Sequence, residues 1–239
     1  MSASYDAFIK RLIAYRKANG LSQEEMGKRS NLTQSHYNKI ENMNKIMSYN
    51  SLVILDKKSV SADFLVTGIE LKHTVLNDML LKCNETDRAD FMYMVVICME
   101  MALKYHSTEN EDYREISTKE IEVLRYDMEN KDAENHSVWK CIRKINNMTQ
   151  EQMSKELDID IKTYREIEKG KSKPNVEILA LLYDKFGYPP SLILDVKNKN
   201  YLFVINEIWL RLPKNLQSKI EKVLMIFCDF VQNIKEDKV

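Results

Sequence analysis

A chain of 239 residues, 44% of them apolar, can bury one large core or two ordinary ones, and only 5 Gly and 4 Pro favour helices over strands. Lys and Arg balance Asp and Glu, 36 against 36, so no overall charge draws the chain to nucleic acid or to a membrane. The longest strongly apolar stretch, Phe91 to Leu103, is interrupted by Glu100 and falls short of the roughly 18 to 20 residues that span a bilayer; with no secretory signal visible at Met1-Ser-Ala-Ser-Tyr-Asp, an all-α, cytoplasmic protein is expected.

The first expected helix, about Tyr5 to Ala18, carries Phe8, Leu12 and Tyr15 at helical spacing and stops at Asn19-Gly20. Ser22 and Glu25 form a capping-box pattern for a second helix that ends near Arg29. Asn31 suits the left-handed turn that follows, and Thr33 caps a third helix, Gln34 to Glu41. A fourth runs from about Tyr49 to Lys57, and a short fifth follows Ser61. Residues 69–105 form a helical hairpin, about 71–83 with 87–105. Residues 106–136 are an acidic linker holding a charged helix from Ser117 to about Asn130 through Ile121, Leu124 and Met128. In residues 137–196 the five-helix plan returns: Ser137, Thr149 and Asp160 as caps, Asp158 in the turn, Gly170 as terminator, Pro174 opening the fourth helix and Pro189-Pro190 the fifth. A second hairpin, 200–211 with 214–234 and a bend at Pro213, lies in residues 197–239.

A shift of 127 without a gap superposes Arg16-Lys17 on Arg143-Lys144, Gln23 on Gln150, Lys28 on Lys155, Tyr37 on Tyr164, Ile40-Glu41 on Ile167-Glu168, and Leu52 and Leu55 on Leu179 and Leu182. At a shift of 129, Val75-Leu-Asn-Asp78 matches Val204-Ile-Asn-Glu207, so the hairpins belong to the repeat and the chain reads as a duplication. Segment charges break the overall balance: residues 5–68 carry +4, 69–136 −8, 137–196 +1 and 197–239 +3. The acidic middle hides a basic first unit. Its simplest role is a solvated face, with DNA mimicry or autoinhibition the sharper alternative. The apolar runs Phe91 to Met99 and Val223 to Cys228 need cover on more than one side, from bundle packing or from a dimer interface.

Ser/Thr-Gln at the start of one helix, a tight turn, then Thr/Asp-x-x-x-Tyr-x-x-Ile-Glu is the pattern of a helix-turn-helix. Met26, Leu32, Tyr37 and Ile40 face the core and leave Gln34, Ser35, Asn38 and Lys39 outside. At these residues the sequence resembles the lambda-repressor-like (XRE, Cro-type) DNA-binding domains of phage repressors and bacterial regulators, and the resemblance covers both 5–68 and 137–196. It implies base reading by Gln34, Ser35, Asn38 and Lys39 in the first copy and by Ile161, Lys162, Arg165 and Glu166 in the second. Arg16, Gln23, Arg143 and Gln150 are the implied phosphate contacts. Two departures stand out: Met43 takes the place of the family's usual Gly, so that Asn42 or Asn44 is expected to turn the chain, and Glu166 sits poorly beside phosphates. Tyr37 and Tyr164 are read as packing residues.

His36, His73, His106 and His136 have no ligand spacing, no catalytic triad can be assembled, and no metal or cofactor is implied; His36 adjoins the reading face. Cys83, Cys98, Cys141 and Cys228 are read as buried thiols. The function expected is a non-enzymatic, sequence-specific transcriptional regulator on double-stranded DNA. Its two units, held apart by the paired hairpins, would imitate a repressor dimer and enter major grooves about 34 Å apart on an imperfectly palindromic site. A homodimer through helices 87–105 and 214–234 is the competing arrangement. An antitoxin-like or regulatory protein-interaction module, with the second copy binding protein, is the alternative function.

Overall fold

Capping chemistry sets most helix boundaries. The computed structural model describes residues 1–106, 118–130, 133, 136–194 and 201–236; it is all-α, without a strand among those residues. The acidic stretch 107–117 lies outside them. In the first copy α1 (Ala3–Ala18), α2 (Gln23–Arg29), α3 (Gln34–Glu41), α4 (Tyr49–Lys57) and α5 (Ala62–Thr67) begin at Ser2, Ser22, Thr33, Ser48 and Ser61. Each of these side chains accepts a hydrogen bond from a backbone N–H of the first turn, a cap worth about 1 kcal/mol. Then come α6 (Val75–Lys82), a 3-10 turn at Glu85–Asp87, α7 (Arg88–His106) and α8 (Thr118–Asn130). The second copy comprises α9 (Val138–Ile145), α10 (Gln150–Glu156), α11 (Ile161–Glu168), α12 (Val176–Phe186) and α13 (Pro190–Ile193), followed by α14 (Leu202–Arg211) and α15 (Lys214–Glu236).

The turns between the second and third helices match expectation, with Asn31 and Asp158 left-handed at φ 56° and 52°. At two places the chain departs from expectation. Met43 itself takes the left-handed place, at φ 58°, where the second copy has Gly170 at φ 71°. Neither Asn42 nor Asn44 does so, because the Met43 and Asn44 N–H groups must reach the carbonyls of Ile40 and Lys39 to close the helix. Pro174 precedes α12 without opening it, since Asn175 supplies the cap that accepts from Ile178 N–H.

The chain forms two compact units, each from two separated stretches: Met1–Glu70 with Ser137–Lys199, and Leu71–His136 with Asn200–Val239. In the first unit the cores of the copies repeat: Met26 and Met153, Tyr37 and Tyr164, Ile40 and Ile167, Leu52 and Leu179, Leu55 and Leu182 are all buried. The copies pack directly on each other and are not held apart by the hairpins, because the short fifth helices leave Leu65, Val66, Leu192 and Ile193 to be covered. Helix α5 meets α13 and α12, and α12 also lies on α1. Ser191 N–H donates to Asp63 Oδ1 at 2.8 Å, Tyr49 Oη–H to the Ile193 carbonyl at 3.4 Å, and Val176 N–H to the Met47 carbonyl at 3.1 Å. Asp63 and Ser191 hold equivalent places, since Val60–Leu65 aligns with Tyr188–Ile193. A contact between equivalent residues marks a local two-fold relation of the isologous kind. The symmetry is imperfect: α1 is twice the length of α9, and its added turns bring Ser2 N–H to Glu177 Oε1 at 2.5 Å and Tyr5 Oη to Met47 N–H at 2.8 Å.

In the second unit α7 packs against α6, α8, α14 and α15. Here too equivalent residues meet. Fully buried Asn206 donates through Nδ2 to Asn77 Oδ1 at 2.9 Å and to the Lys72 carbonyl at 3.1 Å, while its Oδ1 accepts from Thr74 Oγ1–H at 2.8 Å. Asn77 is half-buried, and a satisfied asparagine pair with one member fully buried penalises every register that separates it. Asp127, also fully buried, accepts from Tyr201 Oη–H at 2.8 Å and lies 2.9 Å from His136 Nε2.

Candidate nucleic-acid interface

Each copy builds its helix-turn-helix on one buried carboxylate. Arg16 grips Glu41 with two hydrogen bonds, Nε to Oε1 at 2.6 Å and Nη2 to Oε2 at 3.2 Å, and its Nη1 donates to the Leu21 carbonyl. Gln23 Nε2–H donates to Glu41 Oε2 at 2.7 Å, and Gln23 Oε1 accepts from Asn38 Nδ2–H at 2.9 Å. The chain of bonds therefore runs from α1 through the end of α3 and the start of α2 back to the outer face of α3. The second copy repeats it: Arg143 binds Glu168 at 2.7 and 3.0 Å, Gln150 binds Glu168 at 3.0 Å, and Arg165 Nε–H donates to Gln150 Oε1 at 3.1 Å. Burial pushes both glutamates up, but the hydrogen bonds from arginine and glutamine outweigh it and hold the carboxyls below the usual glutamate range.

Arg16 and Arg143, expected at phosphates, are therefore turned inward, with side chains only 13% and 15% exposed. The physical reason is the buried carboxylate, which would be left uncompensated if the guanidinium swung out to solvent. Both amide ends of Gln23 and Gln150 are also engaged inside the domain, which makes these residues couplings between the carboxylate and the third helix. Glu41 and Glu168 carried no role in the sequence reading. Their signal was the recurrence of Arg and Glu at one fixed separation of 25 residues in both copies.

On α3, Gln34, Ser35 and Lys39 are exposed and Asn38 is half-buried, tied to Gln23 on one side and accepting from Asn42 Nδ2–H on the other. His36 is half-buried, and burial together with the Lys45 and Lys39 charges holds its pKa below the ordinary histidine value. On α11, Lys162 and Arg165 are exposed while Ile161 and Glu166 are half-buried. Beyond α11 the exposed Lys169 and Lys171 extend the basic edge, and the run Lys169-Gly-Lys-Ser-Lys173 was the overlooked sequence signal. Lys173 places Nζ 5.5 Å from the centre of the Tyr49 ring in the other copy. Gly27 lets α2 and α3 close up, because a Cβ there would meet the Leu32 carbonyl oxygen at 3.1 Å.

Among the described residues no helix is long and apolar enough to cross a membrane, and no group of three or more His, Cys, Asp or Glu is arranged to hold a metal ion. The family model described as helix-turn-helix matches residues 12–55, and the one described as helix-turn-helix domain matches residues 140–199. No curated protein and no solved structure matches the chain significantly. The two matched segments fall on the two copies that carry the Arg-Glu-Gln network.

Proposed function

We propose that this chain, which carries two tandem helix-turn-helix domains of the lambda-repressor-like (XRE) type, is a sequence-specific transcriptional regulator whose domains read a bipartite, imperfectly palindromic DNA site. The observation that supports this reading is the joining of both copies in one compact unit through the equivalent helices α5 and α13, with polar side chains of α3 and α11 left exposed. A single chain then supplies what a repressor dimer supplies with two.

Within this proposal Gln34 makes paired hydrogen bonds to adenine, Lys39 donates to guanine, and Ser35 and Asn38 add base-edge contacts. In the second half Arg165 reads guanine, Ile161 touches a thymine methyl, and Lys162 with Lys169 and Lys171 neutralises phosphate. Glu166 accepts from a cytosine amino group or repels phosphate, so the second half-site differs from the first. Gln23 and Gln150 hold the reading helices in place and offer phosphate the amide face of their helix starts.

Selection of bound sequences from random duplex DNA, at one physiological salt concentration, tests this reading. Wild type should enrich two unlike half-sites, Gln34→Ala/Lys39→Ala should lose one, and Lys162→Ala/Arg165→Ala should lose the other. A strictly symmetric site would remove the two-reader model, and no enriched site would move the function to protein interaction.

A further inference from the structure

Along α15 the apolar arc is wider than its own unit covers. Leu216, Ile220 and Leu224 are buried, whereas Val223, Ile226 and Phe230 are 49%, 69% and 61% exposed. With Lys219 these three recur at steps of four, three and four residues, the seam spacing of a two-helix coiled coil, and they fall within about 60° of one another around the helix. Lys222 and Asp229, both exposed, flank the seam on the same side, seven residues apart. The opposite flank is Ile220, which is buried, and Phe227, which is half-buried.

We propose that this face of α15 is a homodimer interface, paired antiparallel with α15 of a second copy of the chain. The choice of occupant rests on the charges. In an antiparallel pair, positions on the same flank face each other, so Lys222 of each copy lies opposite Asp229 of the other, and one two-fold axis makes both ion pairs at once. In the same register Val223 packs on Ile226 of the second copy. Phe230 packs on the stem of Lys219, whose ammonium stays in water. A parallel pair would set Lys222 against the flank that carries Phe227 and would leave neither charge matched. The homodimer, the arrangement that competes with a lone chain as the DNA-bound particle, uses no residue of the two reading helices, and it would gather four helix-turn-helix domains into one particle.

Sedimentation equilibrium of the full chain at micromolar concentration should return twice the 28.2 kDa chain mass. Lys222→Asp alone and Asp229→Lys alone should each weaken the dimer about tenfold, since two attractive pairs become repulsive, and the double variant should restore it. Ile226→Glu should give a monomer with unchanged helical circular dichroism. The charge variants, lying at exposed positions, keep the proposal open to refutation if that variant misfolds. A single-chain mass at every concentration overturns the proposal, and so does a dimer indifferent to the charge reversals or one that the double variant fails to restore. DNA selection repeated on the Ile226→Glu monomer separates the two readings: retained half-sites leave the DNA proposal standing whatever the mass.

Discussion

Replacing Glu41 by Gln tests whether the buried carboxylate is the keystone of the reading domain. Its side chain is 5% exposed and that of Arg16 13%, so the variant leaves a guanidinium almost out of water with its partner charge gone. Breaking a buried pair from one side typically costs about 3–5 kcal/mol, and the residual exposure of Arg16 places this case near the lower end, about 3 kcal/mol. The same substitution at Glu168 should cost a similar amount, because its side chain is 8% exposed and Arg143 grips it with the same two-bond geometry. Each unit holds one tryptophan, Trp139 in the first and Trp209 in the second, both buried. Urea unfolding followed by Trp139 fluorescence in a Trp209→Phe background therefore reads the affected unit. The apolar double variant Arg16→Met/Glu41→Leu should recover to within about 1–2 kcal/mol of the parent, since removing both charges removes the uncompensated one. A loss below about 1 kcal/mol for Glu41→Gln, the range of exposed pairs, would refute the reasoning.

Other expectations follow from single residues. Met43→Gly should raise the stability of the first unit by roughly 1 kcal/mol, because a side chain at φ 58° is strained by about that amount, and a thermal melt checks it. Asn206→Leu should destabilise the second unit by about 1–3 kcal/mol, read by Trp209 fluorescence on urea unfolding, by removing its hydrogen bonds to the Thr74 hydroxyl, Asn77 Oδ1 and the Lys72 carbonyl, although Thr74 keeps its longer bond to Asn77 Oδ1. Because Glu41 and Glu168 lie below the usual range in the folded chain, the stability they contribute is intact above the ordinary glutamate pKa and is lost as pH falls through their depressed values. An acid titration should show that loss, and Glu41→Gln should diminish it.

Much of the fold was legible because the signals were local. Ser22 with Glu25 closes a capping box within three residues, Thr149 caps the matching helix of the second copy, and Asn31 and Asp158 tolerate the left-handed turn they occupy. Met43 was misread because its conformation is imposed by the carbonyls left at the end of α3, against its own preference. Arg16 and Arg143 were read as phosphate contacts because a sequence displays charge without direction. Their partners lie 25 residues away, and only the fold decides that the guanidinium turns inward. The meeting of Asp63 with Ser191, 128 residues apart, and of Asn77 with Asn206, 129 apart, had no local trace. The repeat itself held the clue, since duplicated segments that pack about a local two-fold must bring some equivalent residues together.

That two-fold relation also accounts for the divergence at its centre. Burial between the copies pushes the Asp63 carboxyl up to about 7, and the Ser191 N–H draws it only partly back. A folded pKa above the unfolded one means that the contribution is fully present below the unfolded carboxylate pKa and declines as pH rises through about 7. The decline is roughly 1.4 kcal/mol per pH unit between the two values. Asp63→Asn keeps the acceptor for Ser191 N–H, so it should flatten this slope and leave the first unit more stable than wild type above neutral pH. A carboxylate at both equivalent positions would face its own kind across the axis, and the second copy has serine there instead. Ser191→Asp should therefore cost about 2–4 kcal/mol at pH 8, where both carboxylates would have to ionise, and much less at pH 5, where Asp63 keeps its proton. Urea unfolding read at Trp139 at the two pH values measures the difference. Equal costs at both would mean that the contact between the copies is set by packing alone, with no electrostatic reason for the asymmetry between Asp63 and Ser191.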